Sequence, residues 1–126
     1  MTDMGPYDEL LGMEDDGIHR TQTSTVLECK EKHLNRYGIV HGGVIFALAD
    51  RAFGLASAGF GKPVVTMDMQ IRYLRPANVG DFLRATATLI NKGRTTVFYR
   101  IDVKRQDDKL IACLQATGHV YERGQA

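Results

Sequence analysis

The pattern of apolar and polar residues changes at Pro63. Between positions 44 and 58 nearly every residue is apolar or small, so a helix over 41–59 would be apolar on all sides. Gly59 and Gly61 suit the end of such a helix, and Pro63 prevents its continuation. After Pro63 apolar residues recur at every second position, which is the period of a strand. The pattern predicts one long buried helix followed by strands.

One strand is predicted before the helix and four after it. The segment 18–30, rich in Thr and Val, has the composition of a strand. Turn-forming residues separate the later strands, so we expect successive hairpins and hence an antiparallel sheet. Such a sheet usually covers one face of its helix, so it should curl around the helix while a second subunit covers the rest. The later strands are predicted at 64–74, 81–90, 96–104 and 110–121.

The length and composition fit one globular α+β domain. The chain has 126 residues, of which 44% are hydrophobic, and this is enough to bury a core. We place the domain at 18–123 and treat 1–17 as a separate N-terminal segment. Around Pro6 this segment carries a small apolar group, for which we predict a short helix: Leu10, Leu11 and Met13.

Charge and cysteine content exclude several classes of protein. The formal net charge is +1, and no dense run of Lys or Arg is present, so a nucleic-acid partner is not expected. No apolar run reaches the ~18–20 residues that span a bilayer, so no membrane partner is expected either. Residues 1–14 carry four acidic side chains and no basic one, unlike a signal peptide. Cys29 and Cys113 show no paired spacing, and we predict reduced thiols in a cytoplasmic protein.

Asp50 is a carboxylate in the middle of the predicted buried helix. Burying a charge there is costly unless it is paired or hydrogen-bonded. Asp50 therefore either pairs with a structural Arg, faces a solvated groove between subunits, or has a chemical function. Arg51 lies about 100° further round the helix and need not neutralise it.

His41, Gly42 and Gly43 stand at the start of the same helix. Two glycines weaken a helix start, so their presence calls for a reason. Helix N-termini expose unpaired N–H groups that stabilise an oxyanion, and the missing side chains would let a substrate carbonyl reach them. Alternatively, the glycines allow the loop to pack tightly against a strand, with His41 as a hydrogen bonder at the helix start.

The spacing of these groups predicts how a shared site would be built. Gly42 and Asp50 are eight residues apart, which is about 12 Å along one helix axis. A base or nucleophile must approach its target to roughly 3 Å. If both groups act on one carbonyl, they come from different subunits. The active site would then exist only in a homodimer, or in a homotetramer built from such dimers, and dilution to monomers would abolish activity.

Several motifs together resemble the phenylacetic-acid-pathway type of hotdog-fold acyl-CoA thioesterases. One motif runs from Asn35 to Gly43 (NRYGIVHGG) and is followed by Leu-Ala-Asp, ending at Asp50. The segments VVTMDMQIRYLRPANVGD and NKGRT resemble the same family. The likeness covers roughly 18–121, and it implies a hotdog fold: a curled antiparallel sheet wrapped around one long central helix.

The resemblance also implies roles for individual residues. In the family, the counterpart of Asp50 is the nucleophile or general base, and the counterpart of Gly42 donates its backbone N–H to the thioester oxygen. The counterparts of Asn35 and His41 help to position the substrate or the attacking water. A hydroxyl residue often stands where Thr66 lies and supports the water or the carboxylate. The implied reaction converts acyl-CoA to a free acid and CoA, with no metal and no cofactor.

Binding of the substrate would involve further residues. Strict alternation places Thr66 on a polar strand face beside Asp68, together with Arg72. Gly43 would admit the substrate carbonyl, and Phe46 would line an acyl pocket. The CoA phosphates would need cations at the mouth of the pocket, and the candidates near turns or strand ends are Arg72, Arg75, Lys92 and Arg94.

Two other functions stay open for the same fold. One is a binding module that sequesters acyl-CoA without cleaving it, since a fold does not fix a function. The other is acyl-CoA hydration or dehydration, which requires a His and an acid close together. His41 and Asp50 are about two and a half helical turns apart, which argues against such a pair within one subunit.

Overall fold

A computed structural model of the chain describes residues 4–18 and 22–122. These residues form a six-stranded antiparallel sheet and one long helix, which confirms the predicted α+β architecture. The predicted strand at 18–30 is confirmed over Gln22–Glu28, whereas Ile18 ends a separate strand that begins at Glu14, and 19–21 lie outside the described residues. Residue 123 of the predicted domain also lies outside them. The elements are α1 (Pro6–Leu11), β1 (Glu14–Ile18), β2 (Gln22–Glu28), a 3-10 turn (Glu31–His33), α2 (Gly42–Ala58), β3 (Val64–Tyr73), β4 (Phe82–Lys92), β5 (Thr96–Lys104) and β6 (Leu110–Val120).

The strand order is β1-β2-β4-β5-β6-β3. The hairpin prediction is right for β4, β5 and β6 but wrong for β3 and β4, which are separated by two strands. The β3–β4 connection runs across one end of the sheet instead of turning back on itself. Backbone hydrogen bonds hold it there: Val40 N–H donates to Ala77 C=O, and Gly80 N–H donates to Cys29 C=O. The connection therefore brings the end of β3 to the start of α2.

The edge strand β1 was not predicted from the sequence. Its sequence EDDGI has three acidic residues and no alternation, and it pairs irregularly with β2. Ion pairs hold it in place, because Asp15 contacts Arg51 on α2 and Asp16 contacts Arg84 on β4. Tertiary contacts, and not the local sequence, therefore stabilise this strand. A short helix, α1, is present in the N-terminal segment; it contains Leu10 and Leu11 but ends before Met13.

The helix α2 packs against the inner face of the sheet. Its bounds agree with the prediction to within one residue, and its first turn begins after His41. Nine of its residues are buried, among them Phe53, whose ring meets Tyr99 edge-on at 5.4 Å. The helix is not buried on all sides within one subunit, because Gly43, Asp50 and Gly54 form an exposed stripe. Within the described ranges, no helix is both long and apolar enough to cross a bilayer.

A β-bulge at Met67 interrupts the edge strand β3. Thr66 pairs with Gly118 while Asp68 pairs with Thr117, so one extra residue is inserted between the two pairs. Directly paired residues share a face of the sheet. The buried residue Gly118 belongs to the inner face, and so does Thr66. The prediction that Thr66 and Asp68 share a face is therefore wrong, because alternation was assumed to continue through the bulge.

Replacing Gly118 with Ala is expected to destabilise the fold. A β-carbon there would lie 2.7 Å from Val64 Cγ1 and 2.8 Å from Phe53 Cζ. Overpacking of this kind costs about 1–3 kcal/mol of unfolding free energy, which urea denaturation measures. Gly93→Ala is the matched control, because its β-carbon would meet Thr96 at an ordinary 3.5 Å. Equal stability of the two variants would contradict the expectation.

Candidate active site

The start of α2 leaves one backbone N–H available. His41 caps the helix, with its Nδ1 accepting a hydrogen bond from Gly43 N–H at 2.8 Å. Val44 N–H donates to the His41 carbonyl at 3.0 Å. Among the described residues Gly42 N–H has no acceptor, as expected for the first N–H of a helix. Of the two glycines, Gly42 is thus the one whose N–H is free to bind a substrate oxygen.

Gly42 also packs against the edge strand. The Tyr73 hydroxyl donates to the Gly42 carbonyl at 2.8 Å, and a β-carbon at Gly42 would lie 3.1 Å from Cζ and Oη of Tyr73. The tight packing considered as one explanation of the glycines is therefore present, and so is His41 as the cap. Close packing and an available N–H coexist at the same residue. Tyr73 was not singled out from the sequence, where it is only one of the alternating apolar positions of the strand predicted at 64–74.

A groove of about 450 Å³ opens beside the start of α2. Its walls are mostly apolar, and it brings together three of the predicted site residues: Asn35, Gly42 and Arg75. Phe46 does not line it; the adjacent Ile45 does, because neighbouring helix residues differ by about 100°. A larger groove of about 600 Å³ on the outer face of the sheet contains none of the predicted catalytic residues. The lining also includes Ile39, Val40, Tyr73, Leu74 and Pro76.

Asn35 shapes the loop that leads into α2. Its side-chain oxygen accepts hydrogen bonds from Tyr37 N–H at 2.9 Å and Ile39 N–H at 3.4 Å. Its backbone N–H donates to the Ile39 carbonyl at 2.8 Å, so the loop closes on itself. The side-chain oxygen is thus committed to the turn. The amide NH₂ has no acceptor among the described residues and is the group that can reach a ligand in the groove.

Asp50 lies on the exposed stripe of α2 and has no ion-pair partner among the residues described. Arg51 does not neutralise it, because the guanidinium contacts Asp15 and Asp8 instead. Although Asp50 is exposed, neighbouring protein atoms displace part of the water around its carboxylate; this raises the pKa of Asp50 above its ordinary value, and the charge of Asp8 raises it further. The alternative in which Asp50 pairs with a structural Arg of the same subunit is therefore not realised.

Thr66 and the remaining predicted cations lie away from the groove of the same subunit. Thr66 is exposed on the inner face of β3, close to the end where that strand begins. Arg72 lies on the outer face, in a depression with Arg100 and Cys113. Lys92 and Arg94 stand at the β4–β5 turn, at the sheet end opposite to Gly42. Of the four predicted cations, Arg75 alone lines the groove.

Two variants of His41 separate its capping role from a role in the reaction. His41→Ala removes the acceptor for Gly43 N–H, and loss of a cap costs about 0.5–2 kcal/mol of unfolding free energy. His41→Asn keeps a suitable acceptor, so we expect urea denaturation to show stability near that of the unmodified chain. If His41 also contacts substrate, kcat/KM stays low in His41→Asn. Recovery of both stability and kcat/KM would limit His41 to capping.

The thioesterase superfamily model matches residues 37–112, which include the start of α2, Asp50 and every residue of the groove except Asn35. The chain therefore belongs to the thioesterase superfamily. It is 42% identical over 88 residues to a putative esterase of Archaeoglobus fulgidus, covering 70% of this chain and 57% of that one. It is 37% identical over 86 residues to acyl-coenzyme A thioesterase PaaI of Escherichia coli, covering 68% and 61%. The matched part is thus less than two thirds of either relative.

Solved structures extend the likeness to nearly the whole fold. A protein of Thermus thermophilus superposes with a TM-score of 0.89 at 34% identity, over 93% of this chain and 98% of that one. A hypothetical thioesterase of Streptococcus pneumoniae, solved with coenzyme A, gives 0.84 at 26% identity, over 89% and 88%. That protein was also solved as an Asp→Ala and as a Thr→Ala variant, at positions sixteen residues apart. The predicted hotdog fold is confirmed.

Proposed function

We propose that this protein hydrolyses acyl-CoA thioesters to a free acid and CoA. The observation that carries the proposal is the unpaired N–H of Gly42 at the start of α2, on the wall of a largely apolar groove. A thioester carbonyl that enters the groove accepts this hydrogen bond. The partial positive charge of the helix start then stabilises the negative charge that develops on the oxygen.

Asp50 supplies the second chemical group. Its unpaired carboxylate has a raised pKa, which makes it a better proton acceptor than an ordinary Asp. Water attacks the carbonyl carbon while Asp50 takes a water proton, or Asp50 itself attacks to form an anhydride that water then opens. In both routes the C–S bond breaks, the CoA sulfur leaves as a thiolate and gains a proton, and the acyl group leaves as a carboxylic acid. Thr66 supports the water or the carboxylate.

The site requires two subunits, because about 12 Å of helix separates Gly42 from Asp50. The strand β3 is at the sheet edge, so its outer backbone groups are available to a second copy. Antiparallel pairing of two β3 strands sets the Tyr73 end of one beside the Val64 end of the other. This arrangement moves Gly42 of one subunit towards Asp50 and Thr66 of the other. Sedimentation analysis then distinguishes a homodimer from a homotetramer of such dimers.

Support for the same residues comes from the streptococcal thioesterase. Its two substituted positions, an Asp and a Thr, are sixteen residues apart, and so are Asp50 and Thr66 here. That protein was solved with coenzyme A, the carrier in the proposed substrate. The cation Arg75 lines the groove and is the proposed contact for a CoA phosphate from the same subunit. Gly43, Phe46, Arg72, Lys92 and Arg94 stay predictions for substrate binding.

Release of free thiol from acyl-CoA tests the proposal directly. Hydrolysis releases CoA thiol, whereas hydration, dehydration and simple binding do not. Burial raises the pKa of the Cys29 thiol to about 11, so this cysteine stays protonated and adds little background; a blank without substrate corrects for Cys113. A panel of aromatic, short, medium and long acyl groups defines the substrate. Saturable CoA binding without thiol release from any acyl-CoA would favour the binding module.

A further inference from the structure

The hydroxyl of Tyr73 joins the end of β3 to the first residue of α2. It donates a hydrogen bond to the Gly42 carbonyl at 2.8 Å, and a β-carbon at Gly42 would lie 3.1 Å from Cζ and Oη of Tyr73. Both residues line the groove of about 450 Å³. A tyrosine hydroxyl has one hydrogen to donate and is protonated at neutral pH. This hydrogen is therefore used on the backbone of Gly42 and not on a ligand in the groove.

The sheet fixes the position of the Tyr73 hydroxyl. Tyr73 pairs with Ala112 of β6, a buried residue, so its side chain lies on the inner face of the sheet, against which α2 packs. The next two residues bind the same end of β6, because the backbone N–H groups of Leu74 and Arg75 donate to the Ile111 carbonyl at 2.8 and 3.2 Å. The ring thus reaches α2 from a strand end that backbone hydrogen bonds hold in place.

The N–H of Gly42 is oriented by the two peptide groups that flank its α-carbon. The first contains the N–H itself, and its carbonyl, that of His41, accepts from Val44 N–H at 3.0 Å. The second contains the Gly43 N–H, which donates to His41 Nδ1. Its carbonyl, that of Gly42, accepts from Tyr73. Because glycine has no β-carbon to restrict its dihedral angles, these contacts supply the restriction that a side chain would otherwise give.

We propose that Tyr73 is a positioning residue for thioester hydrolysis, holding the backbone of Gly42 so that its N–H faces the groove. A donor stabilises an oxyanion best when it already points to the place where the charge develops. Of the three contacts just described, those of His41 and Val44 lie within the helix start. The contact of Tyr73 comes from the sheet, so it also fixes the helix start relative to the groove wall. The inference rests on the proposed function, in which Gly42 binds the thioester oxygen.

The kinetics of Tyr73→Phe test the inference, because this change keeps the ring and removes the hydroxyl. We expect kcat for acyl-CoA hydrolysis to fall about 10-fold, less than the roughly 10²- to 10³-fold that loss of an entire oxyanion donor costs. KM should change little, because the ring still lines the groove and the Gly42 N–H matters most once charge develops on the oxygen. Tyr7→Phe removes a hydroxyl from an exposed tyrosine of α1 and is the matched control. Circular dichroism confirms that both variants are folded at the assay temperature.

The carbonyl carbon of Gly42 gives a second readout by NMR, in protein labelled with 1-¹³C glycine. Its signal is assigned by its loss in Gly42→Ala, and a hydrogen bond to the carbonyl oxygen deshields the carbon. We expect the signal at a lower chemical shift in Tyr73→Phe and at an unchanged shift in Tyr7→Phe. The difference between Tyr73→Phe and the unmodified protein should remain when both bind a ketone analogue of acyl-CoA, with CH₂ in place of sulfur, because the hydroxyl stays on Gly42.

The two readouts separate the possible failures. An unchanged Gly42 signal or an unchanged kcat in Tyr73→Phe would overturn the inference. A difference that disappears when the analogue binds would overturn it as well, because the hydroxyl would then have moved to the substrate carbonyl as a direct donor. If the unmodified protein released no thiol from any acyl-CoA, the proposed function would fail, and the inference with it. That failure appears in the unmodified protein, so it is distinguishable from failure of the inference alone.

Discussion

Replacing Asp50 with Asn is expected to lower kcat for acyl-CoA hydrolysis by about 10²- to 10⁴-fold, the usual contribution of a general base. The amide has nearly the shape of the carboxylate but neither accepts the proton nor attacks the carbonyl. Substrate binding through the Gly42 N–H does not depend on Asp50, so KM should change little. Steady-state thiol release over a range of acyl-CoA concentrations measures both parameters. Turnover at the level of the unmodified protein would refute the assignment.

The stability of Asp50→Asn distinguishes a catalytic carboxylate from a structural one. The pKa of Asp50 is raised in the folded chain, so its ionised form is disfavoured by folding, and this cost is present above the folded-state pKa. At neutral pH the amide variant should therefore be at least as stable as the unmodified protein. If structural partners held the carboxylate instead, the amide variant would be less stable than the unmodified protein. Urea denaturation measures the difference in stability between the two proteins. For activity, the matched control is Asp108→Asn, the same substitution at the exposed β5–β6 turn.

Two inactive variants are expected to regain activity when they share one dimer. Gly42→Val obstructs the N–H, and Asp50→Asn removes the base. A mixed dimer of these subunits has one site with Gly42 and Asp50 both intact, if the two groups come from different subunits. The purified mixed dimer should then show about half the activity of the unmodified dimer, since one of two symmetry-related sites is complete.

The reverse pairing gives the opposite result and serves as the control. A subunit with both substitutions is combined with an unmodified subunit, and the mixed dimer is isolated with two different affinity tags. If the site spans two subunits, neither site is complete and activity is lost. If Gly42 and Asp50 of one subunit acted together, this dimer would be half active and the first would be inactive. Circular dichroism confirms that Gly42→Val folds, and Gly42→Ala replaces it if it does not.

The long helix was predictable because its signals are local. Small and apolar residues from Val44 to Ala58 mark its body, and the glycines at both ends mark its limits. The strands β4, β5 and β6 were predictable for the same reason, since short turns separate alternating segments. The edge strand β1 was not, because its acidic sequence forms a strand only through pairing with β2 and through ion pairs to Arg51 and Arg84.

The chemical groups of the candidate site were predictable from the sequence, but the residues that surround and hold them were not. Gly42 and Asp50 stood out because glycines at a helix start and a carboxylate in an apolar helix both violate local preferences. The contacts of Tyr73 with Gly42 and of Asp8 with Arg51 join residues that are 31 and 43 positions apart in the chain. No pattern of neighbouring residues carries such information. The cations were chosen by their position near turns, which does not specify the end or the face of the sheet.

The bulge at Met67 makes the length of β3 as important as its composition. Because Met67 is the extra residue, its deletion would leave Thr66 opposite Gly118 and Asp68 opposite Thr117, with both parts of the strand oriented as they are now. Deleting Met69 instead would turn Gln70 towards the helix and Ile71 towards the outside. Tolerance to single-residue deletion should therefore differ sharply between two methionines only two positions apart.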